Sequence, residues 1–171
     1  MPYPTTLRSD RLALRPLTEA DIPPLTAAIR EPGIREWWPD YDEARLRAET
    51  LCDPDVAAFG IESDSRLIGL ILYAEENDPH YRHASIDLTL DSAHLGQGLG
   101  SEALRLLARY IFEVRGHHRI TIDPAAENAR AIAAYRKVGF KPVGIMRRYE
   151  LGPDGAWRDG LLMDLLADEL R

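Results

Sequence analysis

Three glycines at alternate positions, Gly96, Gly98 and Gly100, stand in the run Leu95-Gly96-Gln97-Gly98-Leu99-Gly100-Ser101. They follow a strand-like stretch, residues 84–90, and lead directly into a helical pattern. Glycine lets a backbone approach a ligand closely and take positive φ without a Cβ clash. The unpaired N–H groups and the dipole of a helix start then make a ready anion site. Two familiar phosphate loops do not fit, because no Gly-Lys-Ser/Thr ending is present and the spacing is G-x-G-x-G rather than G-x-G-x-x-G. A pyrophosphate cradle of another kind remains, beside the simpler alternative of glycines that serve only a tight strand-to-helix turn.

Other side chains suit proton transfer. Asp87 interrupts the apolar run Ile86-Asp87-Leu88, where it would act as a general base or, by strand alternation, face solvent. Tyr135 sits at helical spacing, where a tyrosine is ordinarily core. Asp123 precedes Pro124 at the end of a short strand, as a cleft-facing carboxylate or a loop cap. Trp37 and Trp38 are adjacent and cannot both face the core, so one is expected at a surface or cleft. Glu75, Glu76 and Asp78 form an acidic segment that either meets ammonium groups or is simply solvated.

Cys52 is expected to be a small buried apolar residue. His80 and His83 lie in a loop with no further ligand at suitable spacing, so no metal site is expected. His117-His118 is read as complementing a helix C-terminus.

Which elements must hold these groups? Residues 12–14 begin the sheet. A capping-box pattern at Thr18-Glu19-Ala20-Asp21 starts a helix with Ile22, Leu25, Ala28 and Ile29 on one face. A second helix is predicted over residues 42–52. Residues 57–62 and 67–73 form a hairpin around Ser63-Asp64-Ser65-Arg66. A polar loop, residues 75–83, leads into strand 84–90, and the loop helix runs over 101–115. Strand 119–122 follows, then a helix capped by Asn128 and closed by Gly139. Strands 143–151 and 157–165 flank Gly152-Pro153-Asp154-Gly155. The expected fold class is α+β, a mixed and mostly antiparallel twisted sheet of about seven strands with helices on both faces.

The 171 residues fit a single domain spanning 1–171, and 45% hydrophobic content argues against disorder. No run approaches the ~20 apolar residues of a membrane span. The Met-Pro-Tyr-Pro start is unlike a signal peptide, and one cysteine gives no disulfide, so a cytoplasmic location is expected. A formal charge of −7 disfavours nucleic acid and favours a cationic small molecule or a basic peptide. Neither a membrane nor a nucleic acid is expected as a partner, and the chain is expected to be a monomer or a homodimer.

The glycine loop resembles the acetyl-coenzyme A loop of the GNAT superfamily of N-acetyltransferases, Q/R-x-x-G-x-G/A at the start of a helix. Leu95 departs from the first position of that motif. A second block, Asp123-Pro124, Asn128, Arg130-Ala131-Ile132, Tyr135 and Gly139-Phe140, is similar to the signature N-x-x-A-x-x-x-Y-x-K-x-G-F.

The resemblance implies the GNAT fold and acetyl-coenzyme A as co-substrate, with direct attack by an amine in a ternary complex. It implies coenzyme contacts at Leu88, Leu90, Leu95, Gly96, Gln97, Gly98, Leu99, Gly100, Ser101, Asn128 and Tyr135. Asp87 would be the base and Tyr135 the proton donor to the leaving thiolate.

Glu36-Trp37-Trp38 with the later blocks is similar to aminoglycoside 6′-N-acetyltransferases, which implies acceptor contacts at Trp38, Asp87 and Asp123. The C-terminal segment Arg147-Arg148-Tyr149-Glu150-Leu151, with Trp157-Arg158-Asp159, resembles ribosomal-protein N-terminal acetyltransferases and related siderophore acyltransferases. A peptide, siderophore or polyamine acceptor therefore stays open.

Overall fold

The computed structural model describes residues 6–171. Its strands are β1 (Leu7–Arg8), β2 (Ala13–Pro16), β3 (Val56–Ser63), β4 (Arg66–Glu76), β5 (His83–Leu90), β6 (Arg119–Ile122), β7 (Lys141–Leu151) and β8 (Trp157–Leu166). Helices α1 (Ile22–Ile29) and α2 (Glu43–Thr50) lie between β2 and β3, α3 (Leu99–Glu113) between β5 and β6, and α4 (Ala129–Val138) between β6 and β7. The expected elements are present, with ends shifted by a few residues. The added strand, β1, is only two residues long and has no alternation to betray it.

All eight strands join one sheet in the order β1-β2-β3-β4-β5-β6-β8-β7. Every neighbouring pair is antiparallel except β5 and β6. That parallel contact is brief, with Ala84 opposite Ile120 and Ser85 opposite Thr121. From Ile86 onward β5 has no β6 partner, and the two strands splay apart.

Alternation along the strands feeds two cores on opposite faces, as period-2 geometry requires. Ile71 and Tyr73 of β4 join Ile86, Ile120 and Ile122 under Leu104, Leu107 and Ile111 of α3 and Ile132 of α4. Leu70, the neighbour of Ile71, turns the other way and packs with Ile22, Leu25 and Ile29 of α1, Leu46 of α2 and Trp38. Helices thus cover both faces, which keeps the splayed β5–β6 gap at the centre of the molecule.

The caps follow the sequence signals. Asp42 accepts from the Arg45 amide to start α2, and Asn128 accepts from the Ala131 amide at 3.1 Å to start α4. An Asn cap of this kind contributes about 1 kcal/mol. The glycine loop starts α3 two residues earlier than expected, at Leu99, because Gly98 is the N-cap with φ 79°. Among the described residues no helix is long and apolar enough to cross a membrane.

Candidate active site

Gly96 and Gly98 have φ of 73° and 79°, the left-handed region that side-chain-bearing residues rarely adopt. Around Gly96 the space is open, so the turn bares its amides to a ligand. Glu102 in the first turn of α3 anchors this end of the helix, accepting from Arg11 Nε and Ser9 Oγ, each at 2.7 Å. On the other side, Ser101 Oγ donates to Ala134 O at 3.3 Å and ties α3 to α4.

The loop forms one end of a cavity of about 510 Å³ that runs through the splayed gap. Its walls carry Leu88, Thr89 and Leu90 of β5, Asn128, Arg130, Ala134 and Lys137 on and beside α4, and Trp37 and Trp38 from the turn after α1. A strand edge without a partner offers unpaired N–H and C=O groups to an extended ligand. Open amides at the loop, a bare strand edge and two cations on α4 fit a long ligand with phosphates at one end and amides along its arm. Acetyl-coenzyme A has that chemistry. Gly96, Gly98, Arg130 and Lys137 would hold its phosphates, and the β5 edge its pantetheine.

The opposite end of the cavity is acidic. Asp87 of β5, Asp123 after β6 and Glu150 of β7 all line it, with Tyr135 and Tyr149. Asp87 is exposed at the wall of the cleft, where a small molecule reaches it, and the protein atoms crowded around it weaken the hydration of its charged form. This desolvation, then the charges of Asp123, Glu150 and Glu49, push its carboxyl up to about 7, against the opposing hydrogen bond from the Leu88 amide. A carboxylate poised near neutrality suits general-base work. Glu150 is also pushed up, by burial and then by Asp123, with Arg158 and Arg45 opposing.

Tyr135 projects from α4 with 7% of its surface exposed. Burial, then the charges of Asp87 and Asp123, hold its phenol well above the ordinary tyrosine range, so it keeps its proton. The loop after β6 that carries Asp123 is stapled to β8 by Leu161 N to Pro124 O and Ala126 N to Asp159 O, both 2.8 Å. Asp123 faces Tyr149, and its carboxylate, with burial, pushes the Tyr149 phenol up to about 12.

Of the residues singled out in the sequence, Asp87, Leu88, Leu90, Leu95, Gly96, Gly98, Gly100, Ser101, Asp123, Asn128, Tyr135 and Trp38 border this one cavity. Gln97 and Leu99 stand outside its lining. Gln97 turns its amide to Ala93 O, and Leu99 is buried in the core under α3. Trp38 is mainly a core residue at 8% exposure, whereas Trp37 is half-buried and more open to the cleft.

Three expectations are corrected. Cys52 is exposed, because α2 ends at Thr50 and the chain turns outward before β3. Glu75 belongs to β4 and is not a free loop carboxylate. Arg115 donates to it at 2.8 Å and His117 Nε2 lies 2.7 Å away, holding its carboxyl down at about 2. His117 is therefore buried against Glu75 and is not spread over a helix end.

Sequence reasoning expected one tryptophan at the cleft but assigned the contact to Trp38 and not to Trp37, and it missed Tyr149 and Glu150 as cavity residues. Strand alternation does not find the last two, because β7 bulges between Met146 and Glu150.

Residues 11–141 match the family described as Acetyltransferase (GNAT) domain. The spermidine N(1)-acetyltransferase of Escherichia coli (strain K12) is 28% identical over 156 residues, covering 88% of this chain and 83% of that protein. The aminoglycoside N(6′)-acetyltransferase type 1 of Klebsiella pneumoniae is 31% identical over 171 residues, covering 88% and 82%. Among solved structures, Mycobacterium smegmatis RimJ in complex with CoA-disulfide superposes with a TM-score of 0.84 at 26% identity, covering 98% of this chain and 90% of that one. With its glycine loop at the head of α3 and its strands parted beside an acidic pocket, the chain belongs to the GNAT acetyltransferases, enzymes that move the acetyl group of acetyl-coenzyme A to an amine.

Proposed function

We propose that this enzyme acetylates a primary amine on a polycationic small molecule, in first place the 6′-amine of an aminoglycoside, and that the whole chain serves this one reaction. The observation that carries the reading is the polarity of the cavity, with open loop amides and cations at one end and Asp87 with Asp123 at the other. Acidic walls in a narrow cleft focus the field and concentrate ammonium groups. The half-buried face of Trp37, with the edge of Trp38, offers an apolar platform for a sugar ring.

Each residue then has a part. Asp87 takes the proton that the amine must lose to attack the thioester carbon. The Leu88 amide, on the uncovered stretch of β5, polarises the thioester oxygen as charge develops there. As the carbon–sulfur bond breaks, the Tyr135 hydroxyl gives its proton to the sulfur. Asn128 caps α4 through Oδ1 and leaves its amide nitrogen for the pantetheine arm.

A polyamine acceptor is the second reading. The same carboxylates suit spermidine, and the E. coli relative of that name aligns over 88% of this chain. A thiol-release assay with acetyl-coenzyme A against kanamycin-type aminoglycosides, spermidine and basic N-terminal peptides separates these. Turnover of kanamycin well above spermidine and peptides is the expected result. Peptide turnover alone would overturn the polycation reading.

A further inference from the structure

We propose that Arg11, in the turn between β1 and β2, is a positioning residue for the pyrophosphate of the coenzyme. It acts from behind the glycine loop, through the Gln97 carbonyl and the Glu102 carboxylate. This rests on the reading that places the coenzyme phosphates at Gly96 and Gly98.

Arg11 lies outside the lining of the coenzyme cavity. It borders a separate polar hollow of about 500 Å³ on the far side of the loop, with Ser9, His94, Gln97 and Leu99. The loop is therefore a thin wall between two hollows. Gly96, Gly98 and Gly100 face the coenzyme side, and Gln97 and Leu99 the other. Burial of Leu12 in the core, with the bond from Ser9 N to Leu12 O at 2.9 Å, fixes the turn that presents Arg11.

The first contact sets the direction of an amide. Arg11 Nη1 donates to Gln97 O at 3.3 Å. In a planar trans peptide the carbonyl and the following N–H point opposite ways. A carbonyl held toward Arg11 thus turns the Gly98 N–H toward the cavity. That amide, like those of Leu99 and Gly100, has no hydrogen-bond partner among the described residues, which leaves it for an anion.

The second contact cancels a charge. Glu102 belongs to the first turn of α3, so its carboxylate stands close to these amides and would repel phosphate. Arg11 Nε donates to Glu102 Oε2 at 2.7 Å, and the Arg11 amide to Oε1 at 3.4 Å. Stability gains little from the pair, because the Arg11 side chain is 53% exposed and solvent screens an ion pair so placed. What the pair does is leave the positive end of α3 unopposed.

The test is calorimetric titration with coenzyme A and with dephospho-coenzyme A, well below the melting temperature of each protein. Arg11→Gln should weaken both ligands about tenfold, the order of one charge-assisted hydrogen bond. Glu102→Gln alone should bind within about twofold of wild type, because the charge it removes is already cancelled. Added to Arg11→Gln, the same substitution should recover about threefold of the loss, leaving the part that comes from the Gln97 carbonyl.

Arg11→Gln within about twofold of wild type overturns the proposal, as does a double variant no tighter than Arg11→Gln. A loss confined to coenzyme A would assign Arg11 to the 3′-phosphate and overturn it as well. Wild-type affinity that ignores ionic strength would sink the placement of the phosphates at the loop, and the proposal with it. Salt-sensitive binding that Arg11→Gln leaves unchanged would sink only the part given to Arg11. Should Arg11→Gln fail to fold, Glu102→Gln decides, a change of more than about twofold in either direction overturning the proposal.

Discussion

The Leu88 amide donates a 2.8 Å hydrogen bond to Oδ1 of its neighbour Asp87. The bond stabilises the charged carboxylate and opposes the burial that pushes the group up to about 7. If the thioester oxygen takes this amide, Asp87 loses the bond and becomes a stronger base while acetyl-coenzyme A is bound. The ascending, low-pH limb of the kcat profile should therefore lie at higher pH than that of kcat/KM for the acceptor, which reports the coenzyme-free carboxyl near 7 if acceptor binds first. Asp87→Asn should lower kcat by ~10²–10⁴-fold and flatten that limb, with little change in coenzyme affinity. A mutant within about twofold of wild type would reduce Asp87 to a strand residue facing a cleft.

The same group affects stability. Its folded carboxyl titrates near 7 against 3.8 unfolded, so between those values the folded state holds the proton that the unfolded state has released. Stability from this group is greatest below 3.8 and falls as pH rises toward 7. Asp87→Asn should thus melt higher than wild type at pH about 8, and the gain should vanish toward pH about 4. Thermal melts of the two ligand-free proteins across that range check it.

Gly98 separates conformation from ligand approach. Its φ of 79° strains any side chain, although a Cβ there would meet nothing closer than Arg11 at 3.7 Å. Gly98→Ala should cost about 1–2 kcal/mol of stability and keep the thermal shift with coenzyme A. Gly98→Glu should cost a similar amount and abolish the shift, since it brings negative charge to the phosphate approach. Equal shifts in the two variants would place the phosphates elsewhere.

The two tryptophans should part company. Trp38 packs with Leu17, Ile22, Leu25 and Ile29, so Trp38→Ala should lose about 3–5 kcal/mol in denaturant melts. Trp37→Ala should lose much less and raise the acceptor KM severalfold, with the acetyl-coenzyme A KM unmoved. A Trp37 variant with unaltered acceptor KM would remove that ring from the acceptor site.

Local chemistry made much of this protein legible. Glycine spacing marks Gly96 and Gly98 as a turn into a helix because few other residues take positive φ. Asn128 and Gly139 mark the ends of α4 because they satisfy amides and carbonyls that a helix leaves unpaired. Asp87 and Tyr135 stand out as polar groups in apolar patterns, and the structure does bring both to one cavity. Cys52 was not legible in this way, since where α2 ends and which way the chain turns after it depend on what the helix packs against.

What only the tertiary structure decided lies across strands. Nothing in Tyr149-Glu150 separates them from an ordinary edge strand, and their place in the cavity depends on a bulge held by Asp159 and on the absence of a Cβ at Gly160, which the Tyr149 ring covers. Trp37 and Trp38 are one chemical signal in sequence, but the packing of α1 and α2 buries one and leaves the other ajar. Glu75 reads as part of a free acidic loop until Arg115 and His117 are brought back from the far end of α3. The residues alone determine backbone conformation, caps and periodicity, because those interactions span a few positions. Which charges meet, and which aromatic face stays open, is set by contacts between elements far apart in the chain, and only the folded sheet supplies them.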